Sequence, residues 1–417
     1  METIRRRAGG GVRRIAESAG LVIAGGEGAY AYDETGRRYL DFVSAYGVAG
    51  LGHAHPLWTE RVQHQAATLV ATPFYNRPLS LYLDKLSAFL PAGLDRVALF
   101  SGGTEASETA IRLAQSASGR RKIVSFQGAF HGKTAGVRFT GGRFEEERHK
   151  LATTWLEFEE YPRCIAHDVL TYPRCDDEGA STLSSLRTRS DADDVAAVIV
   201  EPILGTGGNV PPERRFLQAL RRVCDDKGWL LILDESITGF GRLGTPFAAD
   251  FFAVRPDVVI LGKAMGGGFP LSGVAAASDL WHSSVLAEPS ATSSSYGSNP
   301  LACTAGIAVL DVVTDSEVLH HVQRVSGALA RGLCEVSERS SRMAAPRGVG
   351  LMLGFDIVNP QTGELAGAEE CAKVFNDLRE AGVLAVADVP KVRLYPPVVT
   401  SLADVDYFLD VLDKVVA

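Results

Sequence analysis

Asp234 and Lys263 stand where a fold most readily delivers chemistry. An apolar run from Trp229 to Leu233 ends in Asp234 and Glu235, and a second, Val258 to Leu261, ends in Gly262 and Lys263. Each is the pattern of a strand buried on both faces of a parallel sheet, apolar along its length and polar where it emerges. Ligands of open α/β sheets bind outside the carboxyl ends of the strands, so a carboxylate and an amine are directed at one crevice. A buried acid beside a lysine also fits a structural ion pair. Against that stand Gly262, Gly266, Gly267, Gly268 and Pro270, which give up local stability where backbone approaches something closely. That something reads as a ligand.

A candidate anion site precedes them. Val97 to Phe100 is a short apolar strand followed at once by SGGTEASETAIRLAQ, in which Gly102 and Gly103 make a turn and Thr104 and Glu105 open a helix. Free backbone N–H groups and the positive end of the helix dipole suit a phosphate there, although glycine and threonine also serve ordinary strand-to-helix turns. The strand Lys122 to Phe126 leads into QGAFHGKT, close to a nucleotide-binding P-loop. Spacing rejects that reading, because a P-loop needs glycine where Gln127 stands. Another buried strand, Val195 to Val200, ends in Glu201, Pro202 and the glycine loop LGTGG.

The elements that must position these groups follow in order. Residues before Gly20 read as helix, and Leu21 to Phe42 alternates as an antiparallel ribbon with a turn at Asp33 to Gly36. His53 and His55 lack any completing ligand nearby and read as loop structure rather than a metal site. Leu57 to Leu69 and Glu213 to Lys227 read as helices, and Arg143 to Asp194 as charged with turns at Pro162, Pro173 and Gly179. From Glu317 the rhythm changes to helices at Glu317 to Arg339, Ala368 to Ala381 and Leu402 to Val416, with strands in GVGLMLGFDIV. That change sets a boundary near Asp311 to Asp315. The domains read as 1–50, an N-terminal part of a small domain; 51–312, a large domain; and 313–417, the C-terminal small domain.

Bulk properties narrow the class. The chain of 417 residues is 46% hydrophobic and 22% charged, enough apolar content for a sizeable core. A net charge of −8 without blocks of like charge argues against a nucleic-acid surface. No apolar run approaches the length of a membrane span, which together with six scattered cysteines and no CxxC pair points to a cytoplasmic protein with reduced thiols.

A phosphate cradle, a buried aspartate and a lysine among glycines together suit pyridoxal 5'-phosphate, which carries a phosphate, a pyridine nitrogen and an aldehyde. The order of SGGTEASETAIRLA, FHGKT, VIVEPILGTGG, LILDESITGFGR, PDVVILGKAMGGGFPLSG, SSSYGSNPLA and VRLYPP resembles the class III (ω-) aminotransferases of fold type I, the aspartate aminotransferase-like fold. The resemblance spans nearly the whole chain. It implies an α/β large domain with a mixed, mostly parallel sheet and a smaller α+β domain from the two chain ends.

By that resemblance Lys263 condenses with the cofactor aldehyde and then shuttles a proton, which requires a neutral amine where free lysine titrates at about 10.4. Asp234 pairs with the pyridine nitrogen, Phe130 stacks on the ring, and Gly102, Gly103 and Thr104 hold the phosphate. His131, Glu201, Ser236 and Ile237 complete the cofactor pocket. Ser295 arrives from a neighbouring subunit, which implies a homodimer with shared active sites. Tyr46, Tyr75, Lys133 and Arg393 fall where family members touch substrate, Arg393 as a bidentate donor to a carboxylate.

Three residues depart from the family pattern. Thr206 replaces the glutamate that pairs with the arginine between half-reactions, Ser236 replaces an apolar residue under the ring, and Ile237 replaces a glutamine near its hydroxyl. The expected activity is transfer of an amino group between an amino acid or amine and an oxo acid, ketone or aldehyde. The departures keep a second reading open, a pyridoxal-phosphate enzyme on the same scaffold performing aminomutation, γ-elimination or replacement, or carbon–carbon bond formation.

Overall fold

A computed structural model of the chain describes residues 20–134, 136–137, 156–159, 176–388 and 390–417. The helix expected before Gly20 and the turns at Pro162 and Pro173 lie outside them. Gly179 was expected in a turn, yet it lies within the helix Asp176–Arg187.

The chain opens on the ribbon β1 (Ile23–Glu27), β2 (Tyr30–Asp33) and β3 (Arg38–Asp41), each antiparallel to the next. Its turn is shaped by the Asp33 carboxylate, which accepts hydrogen bonds from the backbone N–H groups of Thr35 at 2.9 Å and Arg37 at 3.0 Å. An aspartate that binds the backbone ahead of it in this way closes a turn without needing a ladder partner.

Seven strands form the central sheet: β4 (Arg96–Phe100), β5 (Lys122–Phe126), β6 (Leu156–Glu159), β7 (Val195–Val200), β8 (Leu230–Asp234), β9 (Val258–Leu261) and β10 (Ser272–Ala276). Their spatial order is β4-β10-β9-β8-β7-β5-β6, and β10 alone runs antiparallel to both its neighbours. Every residue of β7 and β9 is buried, because helices cover both faces. Successive side chains point to opposite faces. Ile199 and Ile232 therefore join Ala110, Ile111 and Leu113 of the helix Gly103–Ser118 in one core. Val198, Val200, Leu231 and Leu233 join Phe216, Leu217 and Leu220 of the helix Arg214–Lys227 in the other. Complete burial of each such side chain stabilises the sheet by about 1.5–3 kcal/mol, which fixes the level at which the strand ends emerge.

The C-terminal part adds β11 (Met343–Val349), β12 (Met352–Ile357), β13 (Val383–Leu384), β14 (Val386–Asp388) and β15 (Lys391–Leu394). Four of these build the antiparallel sheet β11-β12-β15-β14, while β13 joins β3 in parallel and extends the ribbon to four strands. Helices Ser316–Arg339, Ala368–Glu380 and Leu402–Val416 pack on these sheets and on one another. Arg393 sits on β15 opposite Gly354 of β12 and Val386 of β14.

Candidate active site

Asp234 is the last residue of β8 and is 5% exposed. Its Oδ2 lies 2.8 Å from Nδ1 of His131, and its Oδ1 accepts the N–H of Ser236 at 3.0 Å. Burial alone pushes this carboxyl up. The His131 hydrogen bond and charge, the Lys263 charge and the Ser236 bond outweigh burial and hold it below its usual range.

Glu201 follows β7 and is equally enclosed. Oε1 accepts the Phe130 N–H at 2.9 Å and Oε2 the Gly205 N–H at 3.0 Å. Here burial wins, reinforced by the charge of Asp234, and the acid is raised to about 7 despite His131 and the two N–H groups.

Lys263 leaves β9 through the extended Gly262 and takes a left-handed backbone, φ 46°. For a non-glycine residue that conformation costs on the order of 1–3 kcal/mol and persists only where the surroundings impose it. Gly262 leaves space for Ser236, whose Oγ lies 3.4 Å from where a Cβ would stand.

These groups meet in a cavity of about 200 Å³. Asp234, Lys263, Glu201 and His131 line it together with Ser236 and Ile237. Gly103, Thr104 and Phe130 complete the wall, with Gly132, which the sequence reading did not single out. Gly132 has φ 148°, and a Cβ there would stand 2.8 Å from Thr104 Oγ1. The HG pair after Phe130 was its only signal.

Some expected positions fall elsewhere. Gly102 is not among the residues lining the cavity. It caps the helix Gly103–Ser118, and its N–H donates to Glu105 Oε2 at 2.9 Å, whereas Gly103 and Thr104 line the cavity. The glycines after Lys263 were read as making room for a ligand, and for two of them the structure corrects this. A Cβ on Gly266 would stand 3.2 Å from Leu271 Cβ, and one on Gly267 2.9 Å from Val309 on the helix Pro300–Val313. They admit protein, not ligand. Lys133 is exposed and lies outside the cavity. Tyr75 and Ser295, both exposed, line a separate cavity of about 1080 Å³.

Tyr46 and Arg393 come together, though neither is among the residues that line the cavity. Ser44, Ala45 and Tyr46 form a left-handed turn with φ of 43°, 51° and 63°. Asp41 holds it, with Oδ1 accepting the N–H groups of Val43 and Ser44, both at 2.9 Å, and Oδ2 meeting His53 Nε2 at 2.9 Å. His53 thus serves the loop. The Arg393 guanidinium carbon is 5.7 Å from the Tyr46 ring centre. One of its Nη atoms donates to the Gly205 carbonyl at 3.3 Å and reaches the Tyr395 hydroxyl at 3.4 Å, which in turn donates to Asn209 Oδ1 at 2.8 Å. Gly205 connects this arginine to Glu201 and so to the cavity wall.

The cavity fits pyridoxal phosphate on its own chemistry. It offers a helix N-terminus for a phosphate, an acid held ionised for a ring nitrogen, and an amine for an aldehyde. His131 also presents a buried Nε2 that has no hydrogen-bond partner among the described residues.

Residues 13–416 match the sequence profile described as aminotransferase class-III. The chain belongs to the class III aminotransferases. Its class III relatives include an acetylornithine aminotransferase of Methanothermobacter thermautotrophicus, 33% identical over 95% of this chain and 94% of that one. A 2-aminoadipate transaminase of Pseudomonas putida is 32% identical over 95% and 96%. Among solved structures, the taurine:2-oxoglutarate aminotransferase of Bifidobacterium kashiwanohense in complex with PLP and glutamate superposes with a TM-score of 0.87. The two share 27% identity over 95% of this chain and 92% of that one. This class III aminotransferase therefore has the fold type I architecture, takes pyridoxal phosphate as cofactor, and passes an amino group from a donor to a keto acid. Among the described residues no helix is long and apolar enough to cross a membrane.

Proposed function

We propose that the cavity below β7, β8 and β9 is the transamination site and that Lys263 and Asp234 are its catalytic residues. Bound pyridoxal phosphate supplies an aldehyde and an electron-withdrawing ring. Lys263 Nζ is the base that carries a proton to and from the substrate. The Asp234 carboxylate, held ionised by His131, pairs with a cationic ring nitrogen. Gly103 and Thr104 bind the phosphate at the helix N-terminus, and Phe130, positioned by Glu201 through its N–H, covers one ring face. The meeting of Asp234, Lys263 and the Gly103–Thr104 helix start in one cavity carries this reading.

The same reading gives the substrates a carboxylate. Arg393 is 5% exposed, faces Tyr46 and is tied through Gly205 to the cavity wall, which suits recognition of an α-amino or α-oxo acid. Tyr75, Lys133 and Ser295 then act from a second copy or at the entrance. Support for a homodimer comes from Phe74, Tyr75 and Tyr296, which are 78%, 101% and 72% exposed on two neighbouring segments, a patch that an isolated subunit rarely leaves uncovered. Residues 51–312 form the large domain, and 1–50 with 313–417 the small one, consistent with the β3–β13 pairing. Free cysteines at 224, 303 and 371 suit a reducing cytoplasmic setting.

Lys263→Ala tests the core of the proposal. The purified variant is expected to lose both the visible absorbance of bound cofactor and the transfer of amino groups from a panel of amino acids. A variant that keeps that absorbance band contradicts the assignment of Lys263.

A further inference from the structure

Arg242 is 1% exposed, and its contacts are backbone oxygens drawn from three separate segments. One Nη atom donates to the Pro396 carbonyl and approaches that of Leu351 at 3.4 Å, and the other approaches the Gly47 carbonyl at 3.5 Å. No carboxylate pairs with it among the described residues, and burial pushes its guanidinium down to about 10. Placing a cation there is costly, so the position calls for a reason.

The chain around it supplies one. Two segments run side by side here, joined by Tyr395 N–H to Phe42 carbonyl at 2.7 Å and by Val398 N–H to Gly50 carbonyl at 2.9 Å. Between those bonds neither segment can complete a ladder. Pro396 and Pro397 have no N–H to give, and the facing residues Ser44 to Gly47 follow a left-handed path, with φ rising to 83° at Gly47. The planar fork of Arg242 bridges that gap, donating to one carbonyl on each side. Gly47 packs in van der Waals contact with the fork: a Cβ there would stand 3.6 Å from Arg242 Nη2 and 3.9 Å from Tyr395 Cδ1.

Within three residues before the two bridged carbonyls come Tyr46 and Arg393, which face each other. Tyr46 precedes Gly47, while Arg393 and Tyr395 precede Pro396. We propose that Arg242 is a positioning residue for substrate, its fork setting the separation between the Tyr46 turn and the Arg393 strand and hence the slot that receives the substrate carboxylate. The proposal rests on Tyr46 and Arg393 being the substrate contacts. It assigns Arg242 an effect on amino-acid binding, which a brace for the core alone does not have.

The test uses holoenzyme carrying Arg242→Lys, which keeps the charge and loses the fork, and Arg242→Met, which loses both. With the amino acid that the wild-type enzyme turns over fastest, both variants are expected to raise KM about tenfold and change kcat by less than about threefold. Cofactor absorbance and cooperative unfolding should be retained. In a Tyr46→Ala background the effect of Arg242→Met on KM should shrink below about twofold, because the two residues act through one slot. If Arg242→Met does not fold, Arg242→Lys carries the same comparison. An unchanged KM, an undiminished effect in the Tyr46→Ala background, or failure of both variants to hold cofactor overturns the proposal. Arg393→Ala separates the two readings. If it raises KM while the Arg242 variants do not, only the positioning role fails; if it leaves KM unchanged, the substrate-wall assignment fails first.

Discussion

His131 Nδ1 lies 2.8 Å from Asp234 Oδ2, and both side chains are shut away from solvent. The pair keeps charge on a carboxyl that burial would otherwise neutralise. A carboxyl depressed in the folded state contributes stability that is complete above its unfolded value of 3.8 and is lost as pH falls through the folded value. His131→Ala removes the largest of the influences that lower Asp234. Acid unfolding of the variant, followed by circular dichroism, should therefore begin at higher pH than in the wild type. Asp234→Asn should lower kcat/KM by about 10³-fold, about 4 kcal/mol of transition-state stabilisation. An unshifted acid transition in His131→Ala would show that the hydrogen bond does not govern Asp234.

Glu201 has the opposite sign. Its folded value of about 7 lies above the ordinary 4.5, so between these pH values the folded enzyme holds a proton that the unfolded chain has released. Stability then falls as pH rises through that window and levels off above it. Glu235, also raised to about 7 by burial, adds to the same slope. Glu201→Gln should flatten the pH dependence of the urea midpoint between pH 5 and about 7.5 without abolishing it. Parallel slopes for variant and wild type would be inconsistent with a proton on Glu201.

Gly205 has no room for a side chain. A Cβ there would stand 2.4 Å from Ile237 Cδ1 and 3.2 Å from Glu201 Oε2. Gly205→Ala should destabilise the enzyme by about 1–3 kcal/mol. Combination with Ile237→Val, which deletes the clashing methyl, should restore much of that loss even though Ile to Val alone costs about 0.5–1.5 kcal/mol. Strictly additive effects in thermal melts would argue that the strain lies elsewhere.

Phe74 is 78% exposed on the segment that also carries Tyr75. A charge at the centre of an apolar interface costs about 2 kcal/mol or more. On the homodimer proposed above, Phe74→Glu should therefore move the sedimenting species towards monomer at micromolar concentration and reduce activity in parallel. A variant that sediments as the wild type does would place the subunit contact on another face.

What could be read in advance was what depends on short stretches of chain. The runs ending at Asp234 and Lys263 are apolar without interruption and bounded by polar or glycine residues, so strand, direction and emergence point follow from the run itself. Leu402–Val416 keeps one amphipathic period after the Ser401 cap, and the helix observed has the expected ends. What escaped depends on partners far away in sequence. Nothing local tells Gly262, which borders the cavity, from Gly267, which admits Val309. In the sequence the N–H of Gly102 reads as free, and in the structure Glu105 takes it. Arg242 carries no local signal of its role because its three partners are carbonyls without side-chain identity. Tyr75 and Ser295 could be placed by resemblance only, since a single subunit brings neither to the lysine.

The parallel pairing of Leu40 with Val383 and of Asp41 with Leu384 has a consequence for biosynthesis. β3 leaves the ribosome long before β13, and their sheet is not complete until both are made. Until then β3 presents an unpaired edge, and such edges recruit other chains. Translation speed and chaperone supply should therefore govern the yield of active enzyme more than its final stability does. Moving the chain ends to a surface loop of the large domain, so that β3 and β13 emerge close together, is the rearrangement that would relieve the wait.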